Sequence, residues 1–267
     1  MTNRIAVVTG GRRGIGRAIA FALAEAAHDV VLVDSIEDEA TQQTLDGLAR
    51  RSARARFIQA DIADVVRAAD LAGQCFNAFG SVDVLVNNAG VQVQDRAVDA
   101  LHTTVESFDR LMNVNLRGTF FLTQAVARRM MAAPGGSFRS IVTISSSNAL
   151  HAKTTGAEYC LSKSALSMMN KVFALQLAPH GIACYEVQPG LIKTDMNVAL
   201  HDKYEPLVQK GLMPMPRWGT PEDVGHSVAA LAGGALRYVT GEVLHVDGGM
   251  HIPKSVFENA FVKAQLA

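Results

Sequence analysis

Short apolar runs alternate with segments of helical periodicity along the chain. Runs of about four to eight apolar residues between turn signals are typical of strands buried on both faces, whereas apolar residues every three to four positions indicate helices. By these criteria the sequence predicts strands at residues 5–8, 30–33, 57–58, 82–86, 141–144, 182–187 and 243–246. It predicts helices at residues 15–27, 37–53, 157–178 and 221–232, and a long helix within residues 105–131.

This alternation predicts the fold class. Buried strands joined through helices form a parallel sheet by right-handed crossovers, with helices on both faces. We therefore expect an α/β fold, a single doubly wound Rossmann-type domain over residues 1–267 with about seven parallel strands. Its ligand site is expected at the carboxyl edge of the strands.

Three segments fit the alternation poorly. Residues 132–139 carry a loop signal of proline, glycine and serine. Residues 196–219 hold three prolines among leucines and methionines, which favours a mobile apolar flap over the substrate, or a subunit contact, rather than a core element. Residues 251–267 are expected to form a C-terminal tail that either packs on a neighbouring subunit or frays.

The composition excludes several classes of protein. Of the 267 residues 49% are hydrophobic, and 25 basic residues balance 25 acidic ones. A chain of this kind is folded rather than disordered, and it lacks the basic excess that binds nucleic acid or a membrane surface. Three cysteines without a close pair favour a reducing compartment. Because no apolar stretch has the length of a membrane span or a signal-peptide core, we expect a cytoplasmic protein.

A glycine-rich segment lies between the first predicted strand and the first predicted helix. Residues 9–16 read Thr-Gly-Gly-Arg-Arg-Gly-Ile-Gly. Gly10, Gly14 and Gly16 allow a tight turn in which backbone N–H groups and the helix N-terminus approach a pyrophosphate. In this strand–turn–helix context the segment predicts a dinucleotide site.

One acidic residue bears on the choice of cofactor. Asp34 ends the second predicted strand, where a carboxylate binds the adenosine ribose hydroxyls and repels a 2′-phosphate. The sequence therefore favours NAD. NADP stays open, because Arg12 or Arg13 would hold its 2′-phosphate if either side chain reaches it.

Tyr159 and Lys163 form a candidate acid/base pair. They are four residues apart in a predicted helix, so they lie on one face, one turn apart. A free phenol has a pKa of about 10, and a neighbouring ammonium group favours its ionised form. Such a pair supplies proton transfer near neutral pH. The same spacing also arises in an ordinary amphipathic helix, so the pair by itself leaves a structural interpretation open.

Further motifs surround this pair in a fixed order. They are Asp61-Ile62, Asn87-Asn88-Ala89-Gly90, Asn115 within residues 113–118, Ile144-Ser145-Ser146, Pro189-Gly190 with Ile192 and Thr194, residues 217–223, and residues 246–249. Together with the glycine segment, the set resembles the short-chain dehydrogenase/reductase family over nearly the whole chain. Within that family the resemblance is closest to 3-oxoacyl-(acyl-carrier-protein) reductases. Asp34 departs from these, since reductases of fatty-acid synthesis commonly use NADPH.

The resemblance implies a catalytic set of four side chains. Tyr159 would donate a proton to a ketone oxygen, or accept one in the reverse oxidation, and Lys163 would lower its pKa and hold the nicotinamide ribose. Ser146 would hydrogen-bond the substrate oxygen, and Asn115 would hold a water in a proton relay. The neighbouring serines are alternatives to Ser146, which is chosen because it precedes Tyr159 by 13 residues, the usual family separation.

The resemblance also implies which residues contact the cofactor. Thr194 would hydrogen-bond the carboxamide, and residues 88–90 would contact the adenosine side. The full expected set is Gly10, Arg13, Gly14, Ile15, Gly16, Asp34, Asp61, Ile62, Asn88, Ala89, Gly90, Tyr159, Lys163, Pro189, Gly190, Ile192 and Thr194. No metal site is expected, because the eight histidines show no metal-ligand spacing.

The expected activity is hydride transfer between NAD(H) and a ketone or secondary alcohol, with a 3-oxoacyl thioester as the first substrate. The alternative is a sugar, a polyol or another small secondary alcohol. A non-catalytic NAD-binding regulator is disfavoured because Tyr159, Lys163 and Ser146 are all present, and an enoyl reductase is disfavoured by the Tyr–Lys spacing. The resemblance implies a homotetramer, with the helices at 105–131 and 157–178 forming one interface.

Overall fold

The computed structural model describes residues 3–95, 97–133 and 136–253, with only the backbone described at residues 199 and 200. Its strands are β1 (Arg4–Thr9), β2 (His28–Asp34), β3 (Ala55–Gln59), β4 (Val84–Asn87), β5 (Arg139–Ile144), β6 (Ile182–Pro189) and β7 (Glu242–Val246). They form a seven-stranded parallel sheet in the order β3-β2-β1-β4-β5-β6-β7. The expected doubly wound α/β fold is confirmed.

Helices connect the strands on both faces. They are α1 (Gly14–Glu25), α2 (Glu39–Ala49), α3 (Ala68–Phe79), α4 (Val105–Leu111), a π-helical segment (Met112–Gly118), α5 (Thr119–Ala132), α6 (Ala157–Leu177), α7 (His201–Gln209) and α8 (Pro221–Ala232). Short 3₁₀ turns cover Val65–Arg67, Ser147–Ala149, Ala178–His180 and Asp195–Leu200. Within the described residues, none of these helices combines the length and apolarity needed to cross a membrane.

The apolar residues of the inner strands alternate between two cores. On one face Val7, Val31 and Leu85 pack with residues of α3, α5 and α6. On the other face Val8 and Leu32 pack with residues of α1, α2 and α8. Each such fully buried side chain contributes about 2 kcal/mol to the stability of the fold, so the inner strands are fixed from both sides.

Two helical elements differ from the pattern expected from sequence. Helix α3 was not predicted. The long helix predicted within residues 105–131 is continuous but contains the π-helical segment. Gly118 in that segment packs against the chain at Ile62, where a Cβ would lie 2.4 Å from the Ile62 carbonyl oxygen. A π-helical turn is the form of helix that admits one extra residue at such a site.

Residues 196–219 contain more structure than the sequence indicated. They include α7, and Val208, Met213 and Trp218 form a small buried cluster of their own. The Trp218 indole Nε1–H donates to Glu205 Oε2 at 2.8 Å. The segment thus has a core, and its role as a substrate flap stays a prediction. The expected C-terminal tail lies largely outside the described residues, which end at residue 253.

The strand order reverses between β1 and β4, which are neighbours in the sheet although β2 and β3 lie between them in sequence. Chains leaving the carboxyl ends of these two strands diverge to opposite faces and leave a crevice, which is where doubly wound folds bind ligands. Most of the expected site residues lie on this edge.

Candidate active site

The glycine segment forms the turn between β1 and α1. Gly10 has a φ of +63°, and its N–H donates to the Val33 carbonyl at 2.7 Å. A Cβ on Gly16 would lie 2.0 Å from the Gly10 carbonyl oxygen, so a glycine is needed there for the turn to close. Gly14, with φ +55°, has no described atom within 4 Å of the place a Cβ would take. The Cβ position of Gly14, at the start of α1, therefore faces open space.

Asn88 and Thr9 fasten this turn to the end of β4. The Asn88 amide donates to the carbonyls of Thr9 and Gly10 at 2.9 and 3.0 Å. The Thr9 hydroxyl accepts the N–H groups of Asn88 and Ala89, each at 3.0 Å. These bonds hold the glycine turn beside residues 88–90, across the β1/β4 crevice.

Asp34 lies at the end of β2 and is paired with an arginine. Arg12 Nε is 3.4 Å from Asp34 Oδ1, and Arg12 Nη1 forms a second, shorter ion pair with Asp38. The Arg12 side chain is 9% exposed. Arg13 is exposed and precedes the first residue of α1. The Arg12 guanidinium is therefore paired with two carboxylates, whereas Arg13 is exposed to solvent.

The π-helical segment presents Asn115 to the loop after β4. Its side chain is fully buried; Oδ1 accepts the Val91 N–H at 2.7 Å, and Nδ2 donates to the Val91 carbonyl at 3.0 Å. Nδ2 also donates to the Ser162 hydroxyl of α6 at 3.1 Å. Asn115 thus joins the loop after β4 to the helix that carries Tyr159 and Lys163.

Lys163 is buried at the same place. Its side-chain Nζ donates to the Ile144 carbonyl at the end of β5, at 3.2 Å, and lies 5.7 Å from the Tyr159 ring centre. A Cβ on Gly90 would lie 3.3 Å from Asn115 Oδ1 and 3.5 Å from Lys163 Nζ, so the three residues surround one point. Burial lowers the pKa of Lys163 to about 8, and the charge of Glu186 opposes that shift.

Ser146 follows β5 and begins a 3₁₀ turn. Its Oγ accepts the Asn148 N–H at 3.1 Å, and the carbonyl of Ala149 in that turn accepts the Ser164 hydroxyl of α6 at 2.8 Å. The preceding serine, Ser145, donates its hydroxyl to Glu186. Ser145, the residue before Ser146, therefore uses its hydroxyl in a hydrogen bond to Glu186.

The remaining expected contacts lie on both sides of the crevice. Asp61 is exposed and accepts the Ala63 N–H at 2.9 Å, and Ile62 is buried. After β6, the Gly190 N–H donates to the Val246 carbonyl at 3.0 Å. Thr194 is the N-cap of the following turn, and its hydroxyl donates to Asn197 at 3.2 Å.

Comparisons with known proteins agree with this geometry. Residues 10–251 match a family model described as enoyl-(acyl carrier protein) reductase. The chain is 33% identical over 253 residues to L-rhamnose 1-dehydrogenase (NAD(P)(+)) of Sphingomonas sp. strain SKA58, covering 94% of this chain and 98% of that protein. It is 31% identical over 250 residues to 3-oxoacyl-(acyl-carrier-protein) reductase FabG of Staphylococcus epidermidis, covering 94% and 100%.

A solved structure is similar over nearly its full length. The 3-oxoacyl-(acyl-carrier protein) reductase from Brucella melitensis in complex with NAD matches with a TM-score of 0.91 at 42% identity, covering 96% of this chain and 100% of that one. The chain belongs to the short-chain dehydrogenase/reductase family. It is therefore an oxidoreductase, and the resemblance inferred from the ordered motifs is confirmed.

Sequence reasoning missed one buried side chain in this short-chain dehydrogenase/reductase. Glu186 lies in the middle of β6 and is fully buried. It accepts hydrogen bonds from three side chains, one of them the Ser145 hydroxyl. In the sequence, Glu186 is a charged residue inside a strand that is predicted from its apolar neighbours. Because burying an unpaired carboxylate costs free energy, its position indicates that the fold supplies partners for it.

A separate group of potential metal ligands lies at the carboxyl end of β7 and in the turn that follows it. His245, Asp247 and His251 bring their ligand atoms within 4.8 Å of one another, beside a cavity of about 310 Å³ that Leu191 and Met213 also line. The two imidazole rings stack with 4.0 Å between centres and 14° between planes. His251 Nδ1 lies 3.0 Å from each Asp247 carboxylate oxygen, so these two side chains are already paired with one another.

Proposed function

We propose that this chain binds NAD(H) and transfers a hydride between it and a ketone or secondary alcohol, with a 3-oxoacyl thioester as the main substrate. The observation that carries the proposal is the buried Lys163 beside Tyr159, surrounded by Asn115 and Gly90 at the carboxyl edge of the sheet. A bound nicotinamide dinucleotide supplies the hydride. The residues of the chain supply the proton and hold the reacting groups in place.

Tyr159 is proposed as the proton donor for reduction and the proton acceptor for oxidation. The ammonium of Lys163, 5.7 Å from its ring centre, favours the phenolate that remains once the proton has gone to the substrate oxygen. We propose Ser146 as the hydrogen-bond donor to that oxygen, which stabilises the charge developing there. The neighbouring Ser145 is engaged by Glu186, and this supports the choice of Ser146.

Asn115 is proposed to support a proton relay from Lys163. Its two side-chain atoms fix Val91 and Ser162, so the loop after β4 and helix α6 keep a constant separation around Lys163. A water held at this point would carry protons between Lys163 and solvent. The support for this proposal is that Asn115 and Lys163 both lie close to the point that a Cβ on Gly90 would occupy.

The residues present fit a nicotinamide dinucleotide. The open first turn of α1 at Gly14 offers backbone N–H groups and a positive dipole to the pyrophosphate. The Asp34 carboxylate would accept hydrogen bonds from the adenosine ribose hydroxyls. We propose NAD over NADP because Arg12 is already paired with Asp34 and Asp38, so it is not available to a 2′-phosphate.

A second substrate class has specific support. One relative is named as an L-rhamnose 1-dehydrogenase at 33% identity, comparable to the 31% of the oxoacyl reductase. Oxidation of a sugar hydroxyl would use the same four side chains in the reverse direction. We place the oxoacyl thioester first because the solved structure at 42% identity carries that name.

We also propose a cytoplasmic homotetramer. Leu161, Met168, Val172 and Leu175 form an exposed apolar stripe on α6, with Leu175 81% exposed. A stripe of this kind on a long surface helix is typical of a subunit interface. Cys75, Cys160 and Cys184 are free thiols, which suits a reducing compartment.

The test is an absorbance assay at 340 nm with matched arms. One arm pairs NADH and NADPH with acetoacetyl-CoA, and a second pairs NAD and NADP with L-rhamnose, polyols and simple secondary alcohols. A third arm offers crotonyl-CoA with both reduced cofactors to test for reduction of a carbon–carbon double bond. Turnover of acetoacetyl-CoA with NADH supports the main proposal. Turnover of a sugar alone transfers it to the second class, and crotonyl-CoA turnover alone contradicts both.

A further inference from the structure

A carboxylate without solvent contact lies in β6, the strand next to the edge strand β7. Glu186 is fully buried in β6, beside Thr143 of β5 in the strand register. The hydroxyls of Ser145 and Ser167 donate to its two oxygens, the second at 2.5 Å, and Gln188 Nε2 donates at 2.7 Å. All three partners donate, and a carboxylate has the lone pairs to accept all three bonds.

The two hydroxyls belong to different parts of the proposed active site. Ser145 directly precedes Ser146 at the end of β5. Ser167 lies on α6 one turn beyond Lys163, two turns beyond Tyr159. The carboxylate of Glu186 therefore bridges the strand end that carries the proposed oxygen-binding serine and the helix that carries the proposed acid/base pair.

We infer that Glu186 is a positioning residue that fixes Ser146 relative to Tyr159 and Lys163 through its bonds to Ser145 and Ser167. The inference rests on the proposed roles of those residues. Productive transfer needs the substrate oxygen to meet the serine and tyrosine hydroxyls together, and a displacement of about 1 Å at such a site costs about a hundredfold in rate. A buried carboxylate that accepts three hydrogen bonds has little freedom to move, so it would hold the strand end with Ser146 at a constant distance from helix α6.

The charge of Glu186 adds a second effect on the same helix. Burial lowers the pKa of Lys163 to about 8, and Glu186 opposes this shift. On the side of β7, His245 lies opposite Gln188, and burial, with His251 and His151 adding to it, lowers the pKa of His245 against the opposing charges of Asp247 and Glu186. Burial thus disfavours the charged form of His245, and Lys163 is the cation of the proposed site on whose pKa Glu186 acts.

The test compares Glu186→Gln with the wild-type chain and with Asp83→Asn. Asp83 is also a buried carboxylate, held by the Ile5 N–H at 2.8 Å and by the Ser137 hydroxyl, but it lies at the amino end of β4, away from the crevice. For Glu186→Gln we expect kcat to fall about tenfold to a hundredfold, with the dissociation constant of NADH changed less than about threefold. For Asp83→Asn we expect kcat within about twofold of the wild type.

The pH dependence provides a readout that a loss of stability alone would not change. Without the anion, Lys163 loses its proton at lower pH, so the alkaline limb of the kcat profile for reduction should move to lower pH. The pKa of Lys163, measured directly by NMR on chain labelled with ¹³C-lysine, should fall in the same variant. Ser145→Ala and Ser167→Ala should each lower kcat, and neither loss should add to that of Glu186→Gln, because both act through the same carboxylate.

Wild-type kcat and an unchanged Lys163 pKa in folded Glu186→Gln would overturn the inference. So would an equal loss of kcat in Asp83→Asn. Should Glu186→Gln fail to fold, full kcat in both serine variants would overturn it instead. If the wild-type chain turns over no substrate, the proposed function fails, and the NMR measurement still decides whether Glu186 sustains the charge of Lys163.

Discussion

Arg12 is paired with Asp34, with 3.4 Å between Nε and the nearer carboxylate oxygen. Both side chains are largely buried, 9% and 14% exposed, beside the glycine turn. The carboxylate thus keeps its position at the end of β2 while its neighbouring cation is neutralised. The choice between NAD and NADP therefore depends on the Arg12–Asp34 pair rather than on Asp34 alone.

The double substitution Asp34→Ala with Ser35→Arg should shift preference from NADH to NADPH. It removes the carboxylate that repels the 2′-phosphate, removes one of the two carboxylate partners of Arg12 and adds a new cation at position 35. The ratio of kcat/KM for NADPH to that for NADH should rise about tenfold or more, since each tenfold corresponds to about 1.4 kcal/mol. The control is Glu37→Ala, which removes a nearby exposed carboxylate. An unchanged ratio in the double variant would mean that Asp34 does not face the ribose.

Tyr159→Phe should abolish turnover without loss of cofactor binding. The substitution removes the hydroxyl proton and keeps the ring, so kcat should fall by about 10²–10⁴-fold, the usual contribution of a general acid. NADH affinity, measured by fluorescence titration, should change less than about threefold. Cys160→Ser alters the adjacent residue on α6 and serves as the control. Retention of more than a few per cent of the wild-type rate in Tyr159→Phe would contradict the assignment.

Lys163→Met should stabilise the fold while removing activity. Burial lowers the pKa of Lys163 from 10.5 to about 8, so between these values the unfolded chain binds more protons and stability rises with pH. Below pH 8 the buried ammonium costs on the order of 3 kcal/mol. Methionine also loses the hydrogen bond to Ile144, worth about 1 kcal/mol, which leaves a net gain of about 2 kcal/mol at pH 7.

Urea unfolding at pH 7 and pH 10 would measure this effect. The gain in the midpoint for Lys163→Met should be largest at pH 7 and mostly lost at pH 10, where the wild-type lysine is neutral in the fold. Lys203→Met, which replaces an exposed lysine of α7, should show no such dependence. A lower midpoint for Lys163→Met at pH 7 would show that the fold stabilises the charged lysine.

Leu175→Glu should disrupt the proposed tetramer. Leu175 is 81% exposed on α6 in a single chain, and a carboxylate there would be buried without a partner in an interface. Light scattering should show a smaller species than the wild type. Val66→Glu is the matched control, because Val66 is 89% exposed on a short turn away from α6. A wild-type chain that is already monomeric would contradict the proposal.

The strands could be predicted because their signal is local. Val30 to Val33 in β2 are fully buried, so burial on both faces produces an uninterrupted apolar run. Helix α3 was missed although its apolar residues share one buried face, because no side chain caps its start and no local signal marks where it begins. The cluster of Val208, Met213 and Trp218 was missed because it depends on the chain folding back after α7.

The active-site residues likewise include some contacts that the sequence predicts and others that it does not. Tyr159 and Lys163 are one helical turn apart, so their proximity follows from spacing alone. Glu186 receives hydrogen bonds from Ser145, just after β5, and from Ser167, in the middle of α6, and no periodicity in β6 identifies those partners. The pairing of Arg12 with Asp34 likewise joins a loop to a strand end, and the sequence left both arginines open as ligands for a 2′-phosphate.

The π-helical segment makes the direction of Asn115 depend on chain length. Met112–Gly118 accommodates one residue more than a regular helix would, and each residue of an α-helix turns the chain by about 100°. Deletion of a single residue such as Asn113 would restore regular winding and rotate the amide of Asn115 away from Val91, or else rotate α5 off the sheet. The insertion therefore acts as an angular spacer, so the direction of Asn115 depends on the number of residues in this stretch as well as on their identity.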